Sequence, residues 1–312
     1  MPHQKALLPR TKLRWVDLQA LLNDGKIARA SRLPTVLSLH LGEQTDVIML
    51  RDGDPVTAAR IEPGGRRVVR VDSVVRFAER ERERAEVAFY QVSEGQQRAM
   101  WATLDPEVEA GEPIAAARLA ASARASGGDG VAEIQAGGVF HYVVFEDGTP
   151  VQVFGVGLAD GTEPAAALET LARRHGAAPV RLFGPPRDPP PQAPAALFSL
   201  YERLVQRLGH EVARAIGTEA TTDCFTAARG RLEETSPVLA SFAVHRDGRV
   251  VADDAVVTRA ELSDAVAEWI RAILKGATDR GLRDVLEVAG RAVEPDRHAL
   301  TAQGMVARLL DD

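Results

Sequence analysis

Seven histidines, one cysteine and two pairs of adjacent carboxylates are the residues of this 312-residue chain that could do chemistry. His3, His40, His141, His175, His210, His245 and His298 form no H-E-x-x-H or H-x-x-x-H spacing, the arrangement by which one helix offers two imidazoles to a metal. No metal is expected. His40 and His141 each stand in a strand leading to a tight turn, and a structural role is the preferred reading. Cys224, within ATTDCFTAARG, has no base beside it. A nucleophilic thiolate needs an electropositive setting, so a small buried apolar residue is expected here. Asp223, after Thr221-Thr222, could instead cap a helix. Glu233-Glu234 and Asp253-Asp254 could exchange protons only if folded into a cleft, and each reads as helix-end or turn charge. Without a G-x-x-x-x-G-K-[ST] or a strand-associated G-x-G-x-x-G there is no phosphate cradle, and no cofactor is expected.

The bulk composition points the same way. An apolar fraction of 45% and a charged fraction of 26% are those of an ordinary soluble globular protein. A net charge of −6 argues against nucleic acid as a partner, since phosphate binding gathers Lys and Arg and the run Arg66, Arg67, Arg70 is short. One cysteine excludes an internal disulfide and a cysteine-based zinc site. No apolar window approaches ~18 residues, and the start MPHQKALLPRTKLRW lacks the apolar stretch of a signal peptide. A cytoplasmic protein without membrane insertion is expected. All but four of the 38 basic residues are Arg, the bias of a GC-rich bacterial genome.

The elements that must position these side chains come in a repeat. Val47 to Ile61 (VIMLRDGDPVTAARI) returns 95 residues later as Tyr142 to Val156 (YVVFEDGTPVQVFGV). Asp52, Gly53, Pro55 and Val56 match Asp147, Gly148, Pro150 and Val151. Asp-Gly between apolar runs predicts a hairpin, because a type I′ turn needs positive φ at both central residues.

In the first copy the spacing predicts a helix over Trp15 to Leu22, strands over 34–41, 45–50 and 55–61, a helix from Val71 to Arg84 and a strand over 85–92. An acidic joint, Asp105 to Pro113, follows. The second copy is expected to run as a helix over Ile114 to Ala125, strands over 131–135 and 140–145 around Gly137-Gly138, a strand from Pro150, a helix over Pro164 to His175 and a strand over 180–183. Gly184 to Pro194 holds six prolines in eleven residues, a composition favouring extended chain. Beyond it Phe198, Tyr201, Leu204, Val205, Leu208, Val212 and Ile216 share one helical face. Further helices are expected from about Arg259 and over Pro295 to Leu310, with a hairpin around Asp247-Gly248. The fold class expected is α+β: two tandem small α/β modules with Asp-Gly hairpins, 1–108 and 109–184, a Pro-rich linker, 185–195, and a mainly helical bundle, 196–312, containing one β-hairpin.

The module defined by Leu50 to Val56 and by Phe145 to Val151, the latter preceded by Gly130-Val131, resembles the PATAN domain found at the amino end of bacterial response regulators similar to PatA. Thr35 stands in the first copy where the second has Gly130. The resemblance covers about 15–183 in two copies and implies a signalling or docking module without catalysis.

The function expected is a non-enzymatic bacterial signalling adaptor or scaffold. Its partner would be a protein, signalling and motility proteins being the classes considered, with homo-oligomerisation left open. Two alternatives come from other classes. One is a small-molecule sensor with a pocket in the bundle formed by Tyr201, Phe242 and Trp269. The other is a Roadblock-like regulator of a small GTPase, suggested by the strand-turn-strand-helix run Leu239 to Leu274.

Overall fold

The computed structural model describes residues 5–27, 34–105, 113–136, 139–159, 161–245, 249–252 and 255–310. The chain forms two compact units, Met1–Pro191 and Gln192–Asp312, and the α+β class holds.

The first unit contains one topology twice. Its first copy runs β1 (Lys5–Lys12), a 3-10 turn (Leu13–Trp15), α1 (Leu18–Ile27), β2 (Thr35–Leu41), β3 (Gln44–Arg51), β4 (Asp54–Glu62), β5 (Gly65–Val69), α2 (Val71–Arg80) and β6 (Glu86–Gln91). The strands pair antiparallel in the order β1-β6-β2-β3-β4-β5. After α3 (Glu94–Leu104), the second copy runs β7 (Ile114–Ala115), a 3-10 turn (Ala116–Arg118), α4 (Leu119–Ser126), β8 (Gly130–Ala136), β9 (Val139–Glu146), β10 (Thr149–Phe154), α5 (Pro164–Arg174) and β11 (Pro179–Phe183). Its order is β7-β11-β8-β9-β10. In both, a three-strand meander leads through a helix to a last strand that returns beside the first strand of the meander. In both, the strand that opens the copy lies outside that last strand. The correspondence extends to single bonds: Leu13 N–H donates to Ala85 O, and Ala116 N–H donates to Ala178 O.

The turns do what their residues require. Asp52 and Gly53 have φ of 51° and 78°, Asp147 and Gly148 of 48° and 71°, the left-handed pair of a type I′ hairpin. The strands they join bury both faces, which is why VIML and YVVF are continuous apolar runs rather than alternating ones. Val47 and Met49 point into a core shared with Tyr142 and Val144, whereas Ile48 and Leu50 pack under α1 and α2. Val143 and Phe145 likewise pack under α4 and α5.

Between the sheets lies α3, capped by Ser93, whose side chain accepts from Gln96 N–H at 3.2 Å. Met100, Trp101 and Leu104 join Val36 and Met49 of the first sheet to Val131 and Val144 of the second in one core. Gln97 is fully buried, and its Nε2 donates to Leu50 O at 3.0 Å.

Several sequence expectations need correction. Trp15 belongs to a 3-10 turn and is 72% exposed, with the Arg14 guanidinium over its ring, while Leu18 and Leu22 carry the buried face of α1. The helix from Val71 ends at Arg80, because nothing after Ala78 could be buried by another turn; Glu81 to Arg84 turn the chain into β6. Ile114 and Ala115 are strand, and the helix expected there begins only at Leu119. The strands β1 and β5 and the helix α3 were not expected. Gly137-Gly138 and most of the acidic joint, residues 106–112, lie outside the described residues.

Of the Pro-rich stretch, Asp188 accepts from Arg51 and Arg98 at 2.8 Å each, and Arg187 pairs with Asp105. Gln192 bridges to Thr258 and Ala193 N–H donates to Val257 O. The unit boundary falls between these two sets of contacts.

The second unit packs α6 (Ala195–Ile216), α7 (Thr218–Leu232), a 3-10 turn (Pro237–Ser241), the hairpin β12 (Phe242–Val244) and β13 (Val250–Ala252), α8 (Arg259–Thr278), α9 (Val285–Val293), α10 (Arg297–Ala302) and α11 (Met305–Leu310) around one core. A capping box of Thr258 and Glu261 starts α8. The helix expected over Pro295 to Leu310 is broken into α10 and α11 by Gly304, at φ 68°. Asp247 and Gly248 lie outside the described residues; the strands flanking them do pair antiparallel.

Candidate functional site

The residues singled out for chemistry do not converge. Cys224 is buried against Gly276, and Arg280 Nη1 lies 3.3 Å from its Sγ. Asp223 sits inside α7 rather than at its cap, facing Arg280 at 3.8 Å, and Gly217 holds the N-cap position. Glu233 and Glu234 are exposed at the end of α7, and Asp253-Asp254 lie outside the described residues. Among the described residues no three His, Cys, Asp or Glu side chains gather as metal ligands, and no helix is long and apolar enough to cross a membrane.

Tyr201, Phe242 and Trp269 each have no exposed surface. Phe242 packs on Trp269 at 5.7 Å between ring centroids and on Phe198 at 6.2 Å, and Tyr201 Oη lies 2.6 Å from Ser263 Oγ. These residues fill the centre of the bundle and leave no room for a ligand between them. Two clefts open elsewhere on the bundle, one of about 230 Å³ beside Gln206, His210 and Thr221 and one of about 580 Å³ beside Pro237, Val257 and Glu268, and neither is lined by Tyr201, Phe242 or Trp269.

Two clusters in the first unit combine titratable groups and burial. In one, Arg66 of β5 reaches the second sheet, where it pairs with Glu133, donates to Thr103 O at 2.8 Å and lies over the rings of Phe140 and Phe183. Glu133 and Tyr142 are each 4% exposed, and burial pushes the Tyr142 hydroxyl far above its ordinary value. A substrate could not reach this cluster. Its geometry joins the copies. In the other, His141 is 2% exposed, accepts Val156 N–H on Nδ1 at 3.2 Å and stands 5.1 Å from the His175 ring. Burial, aided by His175, holds its pKa down to about 4, so the ring is neutral near pH 7. His40 bridges Ser38 and Thr45, and burial lowers its pKa as well. All of these support packing.

One surface of the first unit is concave. On the outer face of the second copy a groove of about 570 Å³ runs between α4 and α5. Ala116, Ala117, Ala120, Leu168 and Ala172 form its apolar floor and walls, and Gly148, Thr149 and Pro150 of the hairpin close one end. Arg124, Glu169 and Arg173 stand on its rim. The hairpin end is fixed by close backbone packing: a Cβ on Gly148 would lie 2.5 Å from Ala123 O. At the far end Ala117 N–H donates to Gly176 O. Arg124 is therefore near the hairpin end and Arg173 near the other. Arg124 Nε bonds only its own helix, at Ala120 O, and Arg173 has no ionic or hydrogen-bonded partner among the described residues.

Comparison with protein families, with characterised proteins and with solved structures finds no match. Of the turn residues, Pro150 and Gly148 border the groove, while Asp52, Gly53 and Pro55 occupy the equivalent hairpin of the first copy. The arginines and alanines of the groove carried no sequence signal beyond an Ala-rich helical pattern, because the groove arises from side-chain volume missing between two separate helices.

Proposed function

We propose that this chain is a non-enzymatic adaptor of bacterial signalling, in which two PATAN-like modules present docking faces and the helical unit contributes a further contact or self-association. The observation that carries the reading is the duplicated layering of the first unit. Both sheets bury one face against α3 and the shared core, which leaves the helix-covered faces outward as a pair of like surfaces. The groove on one of them is the kind of concavity that takes an anchor from a partner. The polar clusters that could pass for reaction centres are buried ties between strands, which suits a scaffold.

The test is affinity capture with the full-length chain from a native bacterial lysate, followed by mass spectrometry and native-mass analysis. Stoichiometric recovery of a signalling or motility protein supports the adaptor. Recovery of the chain with a small molecule and no protein overturns it in favour of a sensor. A small GTPase as the captured partner would favour regulation of GTPases instead, although β12 and β13 are three residues each and no third strand joins them among the described residues.

A further inference from the structure

We infer that the groove between α4 and α5 binds an acidic amphipathic helix of a partner protein, an assignment that rests on the adaptor reading and names its contact surface. The first argument is a comparison within the molecule. Where Ala116 of the second copy donates its N–H to the residue before the returning strand and borders the groove, the first copy has the buried Leu13 making the matching bond. This Leu-to-Ala difference removes three methyl-sized groups from a layer of the same topology. The second copy did not compensate with larger residues on α5, whose groove side is Ala165, Leu168 and Ala172. Above it runs an apolar channel walled by Ala117, Ala120, Ala165 and Ala172, the form a helix-in-groove contact requires.

The second argument is charge. A cation stands at each end of the channel, Arg124 and Arg173, on opposite walls, and only Glu169 opposes them among the lining residues. The 3-10 turn Ala116–Arg118 and α4 up to Arg124 together run roughly 13 Å. A partner helix with carboxylates two turns apart, seven residues, spans about 10 Å, so one acidic residue can meet each arginine while the apolar face between them lies on the alanines. Bidentate pairing to guanidinium favours carboxylates. A basic helix would place its charges against the two arginines and be rejected. Small floor residues also allow close approach of a helix backbone, which a leucine-filled layer would prevent.

The experiment uses the full-length chain and fluorescein-labelled 15-residue helical peptides with a leucine face, carrying either Glu or Lys at positions 5 and 12, read by fluorescence anisotropy. The Glu peptide is expected to bind and the Lys peptide not. Ala165 is exposed, so Ala165→Trp blocks the groove without disturbing the core, and binding should weaken at least tenfold. The pair Arg124→Glu and Arg173→Glu should weaken the Glu peptide at least tenfold and admit the Lys peptide. Failure of the Glu peptide to bind, equal binding by the Ala165→Trp variant, or saturation by dodecanoate with no peptide binding each overturns the inference. If lysate capture still recovers a protein partner with Ala165→Trp, the adaptor reading survives and this assignment alone falls.

Discussion

The two copies in the first unit share one topology and are finished differently. The first is closed. Its returning strand β6 is covered by the eight-residue β1 and its meander is extended by β5, whereas in the second β7 covers only Pro179 and Val180 of β11, and β10 is left as an edge. The closing strands carry Lys5, Arg10, Lys12 and Arg67, charges that discourage further strand pairing; β10, TPVQVF, has none. At the matched position before the first helix, the first copy has Leu13 and the second Ala116. The two copies thus differ in how far their sheets are extended, six strands against five.

The largest way to break that arrangement is at the tie between the copies. Glu133→Ala leaves the Arg66 guanidinium buried without its carboxylate, and about 3–5 kcal/mol of stability should be lost. Urea denaturation of the full chain measures it. Replacing both, Arg66→Met with Glu133→Leu, should recover most of the loss, since an apolar pair of similar volume needs no desolvation of charge. A loss under ~1 kcal/mol for Glu133→Ala would mean that the copies do not depend on each other through this pair.

A second test uses one buried position that the copies fill in different ways. Asp46 of the first copy, 2% exposed, is held by two bonds from Arg60 at 2.7 and 2.8 Å. The matching residue 95 positions on is His141, equally buried and neutral. With a folded pKa of about 4 against an ordinary 6.5, the unfolded chain takes up the proton first. Stability from this residue is therefore complete above pH 6.5 and is lost as pH falls toward 4, by about 3 kcal/mol at most. His141→Gln should flatten that part of the pH dependence of the denaturation midpoint. An unchanged slope would show that the imidazole is not held neutral.

The hairpin turns sharpen the comparison at a smaller scale. Both Gly53 and Gly148 have positive φ, so alanine at either should cost about 1 kcal/mol in backbone strain. At Gly148 the added Cβ also meets Ala123 O at 2.5 Å and Arg124 Cα at 3.1 Å, so roughly 2–3 kcal/mol is expected there. The same contact would push α4 and disturb the groove end. Thermal denaturation of Gly148→Ala should show that drop; a loss near ~1 kcal/mol would mean that the hairpin and α4 are not tightly coupled.

What the sequence disclosed and what it hid follow from where the information resides. The repeat and its turns were legible because Asp-Gly at φ > 0 is a local demand, and β3 and β9 because four successive apolar residues before such a turn suit a strand buried on both faces. The helix α3 was hidden because only Glu94 and Arg98 of EGQQRAMWATL are exposed, too few to set a period, and the burial of Gln96 and Gln97 depends on tertiary partners. The strands β1 and β5 were hidden because edge strands tolerate Pro9 and Arg66-Arg67. Tyr201, Phe242 and Trp269 are large aromatics in a bundle, and such side chains most often fill cores.

The smallest expected effect concerns the Pro-rich stretch, read from composition as a linker and seen to be fastened. Asp188 takes hydrogen bonds from Arg98, on α3, and from Arg51, at the end of β3, and these hold its carboxyl below its ordinary pKa. Both arginines arise within or just after the first copy; the chain leaving the second copy is thereby pinned to the first. The pairs are half-exposed, so Asp188→Asn should cost under ~1 kcal/mol of global stability. The sensitive readout is local opening rather than unfolding. Residues 184–191 form no helix or strand, and losing the tie should raise the rate of limited proteolysis between them while leaving the denaturation midpoint nearly fixed. The difference from wild type should shrink as salt is raised, because salt screens the pairs in the wild type. A proteolysis rate unchanged by Asp188→Asn at low salt would mean that the prolines alone hold the segment, and that the first copy braces the second only through α3 and the Arg66–Glu133 pair.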